Sequence, residues 1–366
     1  MCIRDRYRDV PGFAEHYSMS DHDGHLVGFF PWAVALPAVP VVLAFDGAHV
    51  VGVGPGSDGA VRAMARWFAV MQDLTAAWTS ALAVGGMFVL VRRRRPDTGL
   101  RFALGATAIV ALGTSLWSTA AASLWQHGPS IAAVTWGLVS LVDHRFARAG
   151  ALCMLAVAFR PTNGLMLLAA LAVVLITERP AWWRYVAGSV AVAVPWCVVT
   201  LATYGTVLQP YGDVNRLGLH DEFGDALAAN LVSPGRGLFV FTPIAVLAVL
   251  GAVKVVRTRS RDALLWVAVV VVPVHWVLVS LYHHWWGGNS YGPRLFTDVV
   301  PLLLILAITL GGEAVFTRAW VRTAAGAGVV ALAAVSIVVH AEGALVLSSG
   351  CWSSHPVAID SDSSRV

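Results

Sequence analysis

The sequence predicts an all-α polytopic membrane protein with about eight to ten transmembrane helices. Of its 366 residues, 57% are hydrophobic and only 13% are charged, and the mean hydropathy is +0.70. Such a chain has too little polar surface to coat a soluble globule of this size. Long apolar stretches also recur along the chain between short polar turns, which is the pattern of helices that cross a bilayer.

Eight apolar segments approach the length of roughly 17 to 25 residues that a crossing requires. They lie near residues 69–91, 100–118, 127–142, 185–203, 237–255, 263–282, 297–312 and 323–341. A ninth stretch, 149–177, is interrupted by Arg160-Pro161. Proline breaks the helical hydrogen-bond ladder, so this stretch predicts a re-entrant helix pair or two short spans. Residues 30–45 are apolar but contain three prolines, which predicts an interfacial helix that lies along the membrane.

Arginine and lysine concentrate in alternate turns, as they do in cytoplasmic loops of membrane proteins. The first loop (1–68), the loops 204–236 and 283–296, and the tail (342–366) are therefore expected to face outward around a transmembrane domain at 69–341. The first six residues look like a scar, and we expect the chain to be truncated at its N-terminus and possibly in its tail. The cations that define the cytoplasmic turns are Arg92, Arg93, Arg94, Arg95, Arg101, Arg145, Arg148, Arg179, Arg184, Lys254, Arg257, Arg259, Arg261, Arg318 and Arg322.

Charge and cysteine content argue against a nucleic-acid-binding protein and against a scaffold held by disulfides or a metal cluster. The net charge is +4, but the cations are scattered between apolar segments, so no nucleic-acid partner is expected. The four cysteines show no paired spacing and predict neither a disulfide framework nor a metal cluster. Asp21 and Asp23 form an Asp-x-Asp element, which can hold a divalent metal, but two nearby carboxylates in a polar loop are common. We expect no metal site.

The segment 283–294 reads His-His-Trp-Trp-Gly-Gly-Asn-Ser-Tyr-Gly-Pro-Arg and lies between two predicted spans. Trp285, Trp286 and Tyr291 fit an aromatic belt, since such rings favour the headgroup level. A belt alone does not account for Arg294, whose guanidinium matches phosphate oxygens in a bidentate manner. We therefore favour a segment that binds an amphipathic anion.

Two further arginines are candidates for the same ligand. Arg160 interrupts an apolar run, where an ionisable side chain is costly and usually pairs or lines a wet cavity. It would bind a phosphate or carboxylate. Alternatively, a short helix would place it near the interface, where the side chain extends into water. The sequence does not favour either alternative. Arg236 follows a Pro-Gly turn and would bind either a ligand or ordinary headgroups, a choice that the sequence leaves open.

An indole, an amide and an imidazole follow one another at Trp125, Gln126 and His127. Aromatic faces and amide donors suit sugar hydroxyls and C–H faces. Belt packing explains Trp125 equally well but explains the other two poorly. Asp73 and Asp298 lie near the outer ends of spans, where we expect them to cap helices rather than to receive an arginine.

Taken together, these segments resemble the GT-C class of polytopic glycosyltransferases, of the bacterial protein-mannosyltransferase-like kind. The resemblance runs through most of the chain, although each motif alone is unspecific. It is carried by Asp23-Gly24-His25 with Phe30-Pro31-Trp32, Leu116-Trp117-Ser118-Thr119, Leu124-Trp125-Gln126-His127-Gly128-Pro129, Arg160-Pro161-Thr162-Asn163, Ser233-Pro234-Gly235-Arg236-Gly237-Leu238, Trp285-Trp286-Gly287-Gly288 and Tyr291-Gly292-Pro293-Arg294.

The resemblance implies transfer of a sugar from a polyprenyl-phosphate carrier, without a cofactor, to a lipid, glycan or protein acceptor. The reaction would occur on the outer face of a bacterial cytoplasmic membrane. It implies an acidic residue in the first outer loop, which is expected to be missing upstream, with Asp9, Asp21 and Asp23 as weak candidates. Arg294, with Arg160 or Arg236, would bind the donor phosphate. The sugar or acceptor pocket would comprise Trp125, Gln126, His127, His25, Trp285, Trp286 and Tyr291.

A transporter or flippase of a lipid-linked or anionic substrate is the alternative. Such proteins often carry paired broken helices in two halves. The sequence shows one broken region, at 149–177, and no internal repeat, and we therefore favour the transferase.

Overall fold

The computed structural model describes residues 19–22, 25–50, 61–207, 209–212, 216–288, 290–311 and 319–346, without the side chains of 19–26, 46–50, 61–66, 319 and 322. This part of the chain is a bundle of helices, as predicted. One short antiparallel hairpin was not predicted. Its strands, β1 (Met19–His22) and β2 (His25–Gly28), pair with Met19 opposite Gly28.

The helices follow the predicted order, with breaks at proline and glycine. In the described residues they are α1 (Val39–Val50), α2 (Val61–Arg94), α3 (Leu100–Leu112), α4 (His127–Val142), α5 (Phe146–Phe159), α6 (Gly164–Thr177), α7 (Trp182–Tyr204), α8 (Phe223–Val232), α9 (Leu238–Phe241), α10 (Val246–Arg257), α11 (Ala263–Ser280), α12 (Val300–Ala307) and α13 (Ala319–Leu345).

Four helical segments in the described residues are long and apolar enough to cross a membrane: Trp67–Arg94, Arg179–Tyr204, Ala263–Ser280 and Thr323–Leu345. They indicate a membrane protein. Helix length alone does not confirm the eight to ten predicted spans, because several of the other segments are broken or short. The segment predicted at 100–118 is divided at Gly113, and a π-helical turn follows at Leu116–Ala120.

Two helix breaks have prolines at their centres. The predicted interruption at Arg160-Pro161 is present: α5 ends before an extended Arg160, and a 3-10 turn leads into α6. A second break, at Thr242-Pro243, separates α9 from α10. It was not predicted, although proline removes a helical hydrogen bond wherever it occurs. The segment 30–45, predicted to be an interfacial helix, contains a 3-10 turn, Trp32–Ala38, followed by the start of α1, and its position relative to a membrane stays a prediction.

Glycine allows neighbouring helices to pack backbone against backbone. A Cβ at Gly150 of α5 would collide with the Tyr185 carbonyl of α7, and one at Gly188 of α7 would collide with the Ala147 carbonyl of α5. Gly251 of α10 packs in the same way against the backbone of α12. Small residues at helix contacts are typical of membrane bundles, where close van der Waals packing holds helices together.

The described turns that were predicted to be cytoplasmic come together at one end of the bundle, which we call the arginine-rich end. It consists of the connections after α2, α4, α6 and α10, together with the 3-10 turn Ile308–Leu310 after α12. Ion pairs and carbonyl contacts join these turns across the bundle. They are Arg93 with Asp143 (2.9 Å), Arg94 with Asp262, His144 with Glu178 (3.6 Å), Arg95 with the Ile308 carbonyl and Lys254 with the Thr309 carbonyl.

The opposite end of the bundle, which we call the aromatic end, comprises residues 113–126, 205–207, 209–212, 216–222, 233–237, 281–288 and 290–293. The hairpin docks there, because the Tyr204 hydroxyl at the end of α7 donates to the Gly28 carbonyl at 2.9 Å. The Trp32 indole donates to the Thr200 hydroxyl at 3.1 Å. The described part of the first loop and segment 283–294 therefore lie at the same end.

Candidate functional site

A buried cluster of three ionisable side chains lies at the aromatic end. The Arg160 Nε atom lies 2.5 Å from the Asp298 Oδ2 atom, and both side chains are at most 3% exposed. His127 completes the cluster, with Nε2 at 3.0 Å from the Arg160 Nη1 atom and Nδ1 at 3.6 Å from the Asp298 Oδ1 atom. Three segments far apart in sequence are thus fixed to one another below the surface of this end.

Local backbone structure explains how these side chains meet. The extended conformation of Arg160 ends α5 at the level where α4 begins, and His127 is the first residue of α4. Asp298 lies in the 3-10 turn Arg294–Val299 that precedes α12. A second hydrogen bond, from the Asn163 amide to the Ser130 hydroxyl at 2.6 Å, holds the break against α4.

The pairing decides one alternative that the sequence left open, for Arg160, and corrects one expectation, for Asp298. Arg160 is 2% exposed and binds the Asp298 carboxylate, so it does not extend to an interface. The expectation that Asp298 caps a helix is wrong, since the adjacent helix starts have no side-chain cap. A buried guanidinium requires a counter-charge, which outweighs the smaller benefit of capping.

Arg294 lies at the surface of the aromatic end and stacks on Trp125. Its guanidinium carbon is 4.6 Å from the Trp125 ring centroid, and both side chains are half-buried. The turn beside it requires glycine, because Gly287 and Gly288 have φ values of +73° and +70°. The Arg294 charge also lies within electrostatic range of His127. Two motifs that the sequence analysis singled out separately therefore form one surface.

Three other predicted site residues hold segment 283–294 in place. Arg236 is buried and donates to the Gly288 carbonyl at 2.8 Å and to the Ser290 hydroxyl at 3.2 Å. Trp285 is buried and donates to the Glu222 carboxylate at 3.0 Å. Tyr291 is buried, and its hydroxyl donates to the Val339 carbonyl at 2.9 Å. Trp286 remains half-buried, with its ring 5.9 Å from that of Trp285.

The remaining predicted site residues are not brought into this surface by the described geometry. Gln126 is buried next to His127. The backbones of Asp21 and His25 belong to the hairpin strands, and their side chains are outside the described structure. Asp9 and Asp23 lie outside the described residues. Within the described part of the chain, no three His, Cys, Asp or Glu residues are grouped to hold a metal ion.

Sequence analysis missed a buried histidine that links α13 to the rest of the bundle. The His340 Nδ1 atom is 2.7 Å from the Ser118 hydroxyl, and its Nε2 atom is 2.9 Å from the Thr242 hydroxyl. Its position as a polar residue inside the predicted span 323–341 was the available signal, because such residues usually face the bundle interior.

Arg216 was missed as well, and it belongs to an aromatic cover over the buried cluster. Its guanidinium lies 4.7 Å from the Phe29 ring centroid and donates to the Tyr282 hydroxyl at 3.3 Å. The hydroxyls of Tyr211 and Tyr282 lie within electrostatic range of Arg160. The described part of the loop after α7 therefore contacts both Phe29, next to the hairpin, and Tyr282, at the end of α11.

Comparison with protein-family models, with curated proteins and with solved structures finds no match.

The arrangement separates a buried ion-pair cluster from a half-buried surface that carries the Arg294 guanidinium. Asp298 and Arg160 neutralise each other, so neither provides a net charge to a ligand. The Arg294 guanidinium lies over the face of the Trp125 ring. It is close to the glycine turn that follows the half-buried Trp286. A planar cation stacked on an indole ring is suited to a phosphate that carries an apolar or sugar group.

Proposed function

We propose that the protein is a membrane glycosyltransferase that moves a hexose or pentose from a polyprenyl-phosphate carrier to a lipid, glycan or protein acceptor. The observation that carries this proposal is the stacking of Arg294 on Trp125 at the aromatic end. It joins the phosphate-binding and sugar-binding candidates of the sequence at one surface. The resemblance to GT-C enzymes supplies the substrate class.

In this proposal the protein catalyses an inverting displacement at the anomeric carbon. The acceptor oxygen bonds to that carbon, the bond to the phosphate oxygen breaks, and the acceptor proton passes to a carboxylate. Arg294 stabilises the negative charge of the departing lipid phosphate. The buried cluster of Arg160, Asp298 and His127 acts by fixing the segments around it. Asp298 is held by Arg160, so the base is assigned to the first loop, with Asp9, Asp21 and Asp23 as its weak candidates.

We further propose that the bundle makes eight to ten crossings of a bacterial cytoplasmic membrane, with the aromatic end outward. The short helices α4, α5 and α6 connect the same two ends as the longer ones, which supports counting them as crossings. The arginine-rich end would face the cytoplasm, where positive residues concentrate. The 3-10 turn and α1, which follow the hairpin at the aromatic end, would lie along the outer interface.

A transporter or flippase of lipid-linked or anionic substrates is the second candidate, and one observation favours it. The helix break at Thr242-Pro243 accompanies the one at Arg160-Pro161, so the broken region does not stand alone. Transporters commonly bind their substrates at paired broken helices. In this candidate Arg294 would bind the phosphate and later release it, without bond cleavage.

The fate of a labelled sugar distinguishes the two candidates. The full chain is reconstituted in liposomes with polyprenyl-phosphate sugar carrying a radiolabel on the sugar and with a membrane extract as the source of acceptors. A transferase moves the label to an acceptor and leaves free polyprenyl phosphate. Label that stays on its carrier while crossing the bilayer would contradict the transferase and support the transporter.

A further inference from the structure

A large apolar cleft runs along one side of the bundle and reaches the arginine-rich end. It has a volume of about 1040 Å³ and lies between α3, α10, α12 and α13. This volume reaches the upper limit of ordinary small-molecule pockets, about 1,000 Å³. The cleft therefore accommodates a ligand with substantial apolar bulk.

The cleft exists because α13 packs tightly against its neighbours only along its C-terminal half, toward the aromatic end. There, His340 contacts Ser118 and Thr242, and the Ser336 hydroxyl accepts a hydrogen bond from the Ile244 backbone at 3.1 Å. Toward the arginine-rich end α13 presents small residues, and a Cβ at Gly326 or Gly328 would meet no atom within 4 Å.

The opposite wall of the cleft, formed by α3, also contains a glycine with unfilled space beside it. A Cβ at Gly105 of α3 would also meet no atom within 4 Å. Small residues on both walls thus leave a gap that these helices do not fill themselves. An apolar gap open to the bilayer is filled by lipid chains, because water finds no hydrogen-bond partners there.

Three cations stand at the arginine-rich end of the cleft: Arg101, Lys254 and Arg257. Arg101 and Arg257 are exposed, and Lys254 is half-buried with its ammonium 2.9 Å from the Thr309 carbonyl. The described residues that line the cleft include no Asp or Glu. One end of the cleft is therefore complementary to a negative group, and the rest is complementary to hydrocarbon.

The length of the cleft fits one leaflet. Helix α10, which lines it from Val246 to Arg257, is about 18 Å long at 1.5 Å per residue. Half of the hydrocarbon core measures about 15 Å. An acyl chain whose headgroup lies beside Arg257 thus extends along the whole apolar wall.

We infer that this cleft binds an anionic diacyl phospholipid, with its phosphate beside Arg101, Lys254 and Arg257 and its chains between α3, α10 and α13. Basic pockets between transmembrane helices bind anionic headgroups in this way. The inference requires that the bundle lie in a membrane, and it is independent of the proposed transferase activity. The bound lipid fills the gap that the glycines leave.

Native mass spectrometry of the purified full chain tests the inference, with dioleoyl phosphatidylglycerol and dioleoyl phosphatidylcholine as probes. The wild-type protein is expected to retain the anionic lipid preferentially. The double variant R101A/R257A is expected to lose about tenfold of that preference, since each basic residue contributes attraction to anionic headgroups. The matched control is R145A/R184A, which removes two exposed arginines of the same end that do not line the cleft.

A second pair of substitutions addresses the apolar part of the cleft. The G326L/G328L variant fills the gap and is expected to lose both lipids, with its unfolding midpoint measured as a check of folding. If that variant fails to fold, the lipid preference of R101A/R257A alone tests the inference. An unchanged lipid preference in R101A/R257A, or retention of lipid in a folded G326L/G328L protein, overturns the inference. So does a wild-type dimer that G326L/G328L converts to monomer, because a second copy would then occupy the cleft.

Discussion

The Asp298→Asn variant is expected to lose about 3–5 kcal/mol of stability, because it leaves the buried Arg160 guanidinium without its counter-charge. Arg160 and Asp298 are both almost completely inaccessible to solvent, so water does not replace the lost partner. The measurement is the unfolding midpoint of the purified protein in detergent. The reverse variant, Arg160→Met, leaves a buried carboxylate and should cost a similar amount.

A double variant and a surface control make this prediction specific. R160M/D298L replaces the ion pair with apolar side chains and is expected to recover most of the loss, as buried ion pairs often tolerate such replacement. The control, Asp143→Asn, breaks the more exposed pair with Arg93, whose side chain is 56% exposed, and should cost at most about 1 kcal/mol. Equal effects of D298N and D143N would show that the buried pair has no special role.

The Arg294→Ala variant is expected to lower sugar transfer by about 100- to 1,000-fold, the loss typical when one donor to a developing negative charge is removed. The variant should unfold at nearly the wild-type midpoint, because the lost stacking on Trp125 is a surface contact worth about 0.5–1 kcal/mol. Arg294→Lys keeps the charge but loses the planar fork, and an intermediate rate is expected. The rates are measured with radiolabelled polyprenyl-phosphate sugar in liposomes.

Arg148→Ala is the matched control for Arg294→Ala. Arg148 stacks on the Trp136 ring at 5.7 Å, near the arginine-rich end, so its removal deletes the same type of contact away from the proposed site. The control should transfer sugar at the wild-type rate. If both variants lost activity in parallel with stability, Arg294 would serve packing and not the donor phosphate.

The sequence predicted the helical bundle because apolar length and arginine-rich turns are local signals. The turns around Arg93, Arg94 and Lys254 were assigned to one side, and in the structure they meet at one end. The breaks were harder to predict. The break at Arg160-Pro161 carries a charged residue beside its proline and was recognised. At the break at Thr242-Pro243 the proline is followed by apolar residues. Residues 237–255 were therefore predicted to form one continuous helix.

The sequence offered Trp125, Arg160 and Arg294 as separate candidates but could not indicate their contacts. Trp125 and Arg294 were both candidates, yet they are 169 positions apart, and no local pattern indicates that they stack. Asp298 was assigned a capping role because helix ends are visible in sequence, whereas its partner Arg160 lies 138 positions away. For Arg236, after its Pro-Gly turn, the sequence left open whether it binds a ligand or ordinary headgroups. Its hydrogen bonds to Gly288 and Ser290 depend on tertiary folding.

Photocrosslinking tests the central claim most directly, which is that the aromatic end binds the lipid-linked sugar through Arg294. Benzoylphenylalanine is placed at Trp286, at the aromatic end, or at Phe102, in the lipid cleft, and the protein is irradiated with radiolabelled polyprenyl-phosphate sugar. The account predicts a labelled adduct at position 286 that disappears with Arg294→Ala, whereas any adduct at position 102, in the anionic-lipid cleft, is unchanged by that variant. An adduct at position 102 alone, or one at 286 that persists without Arg294, would contradict it.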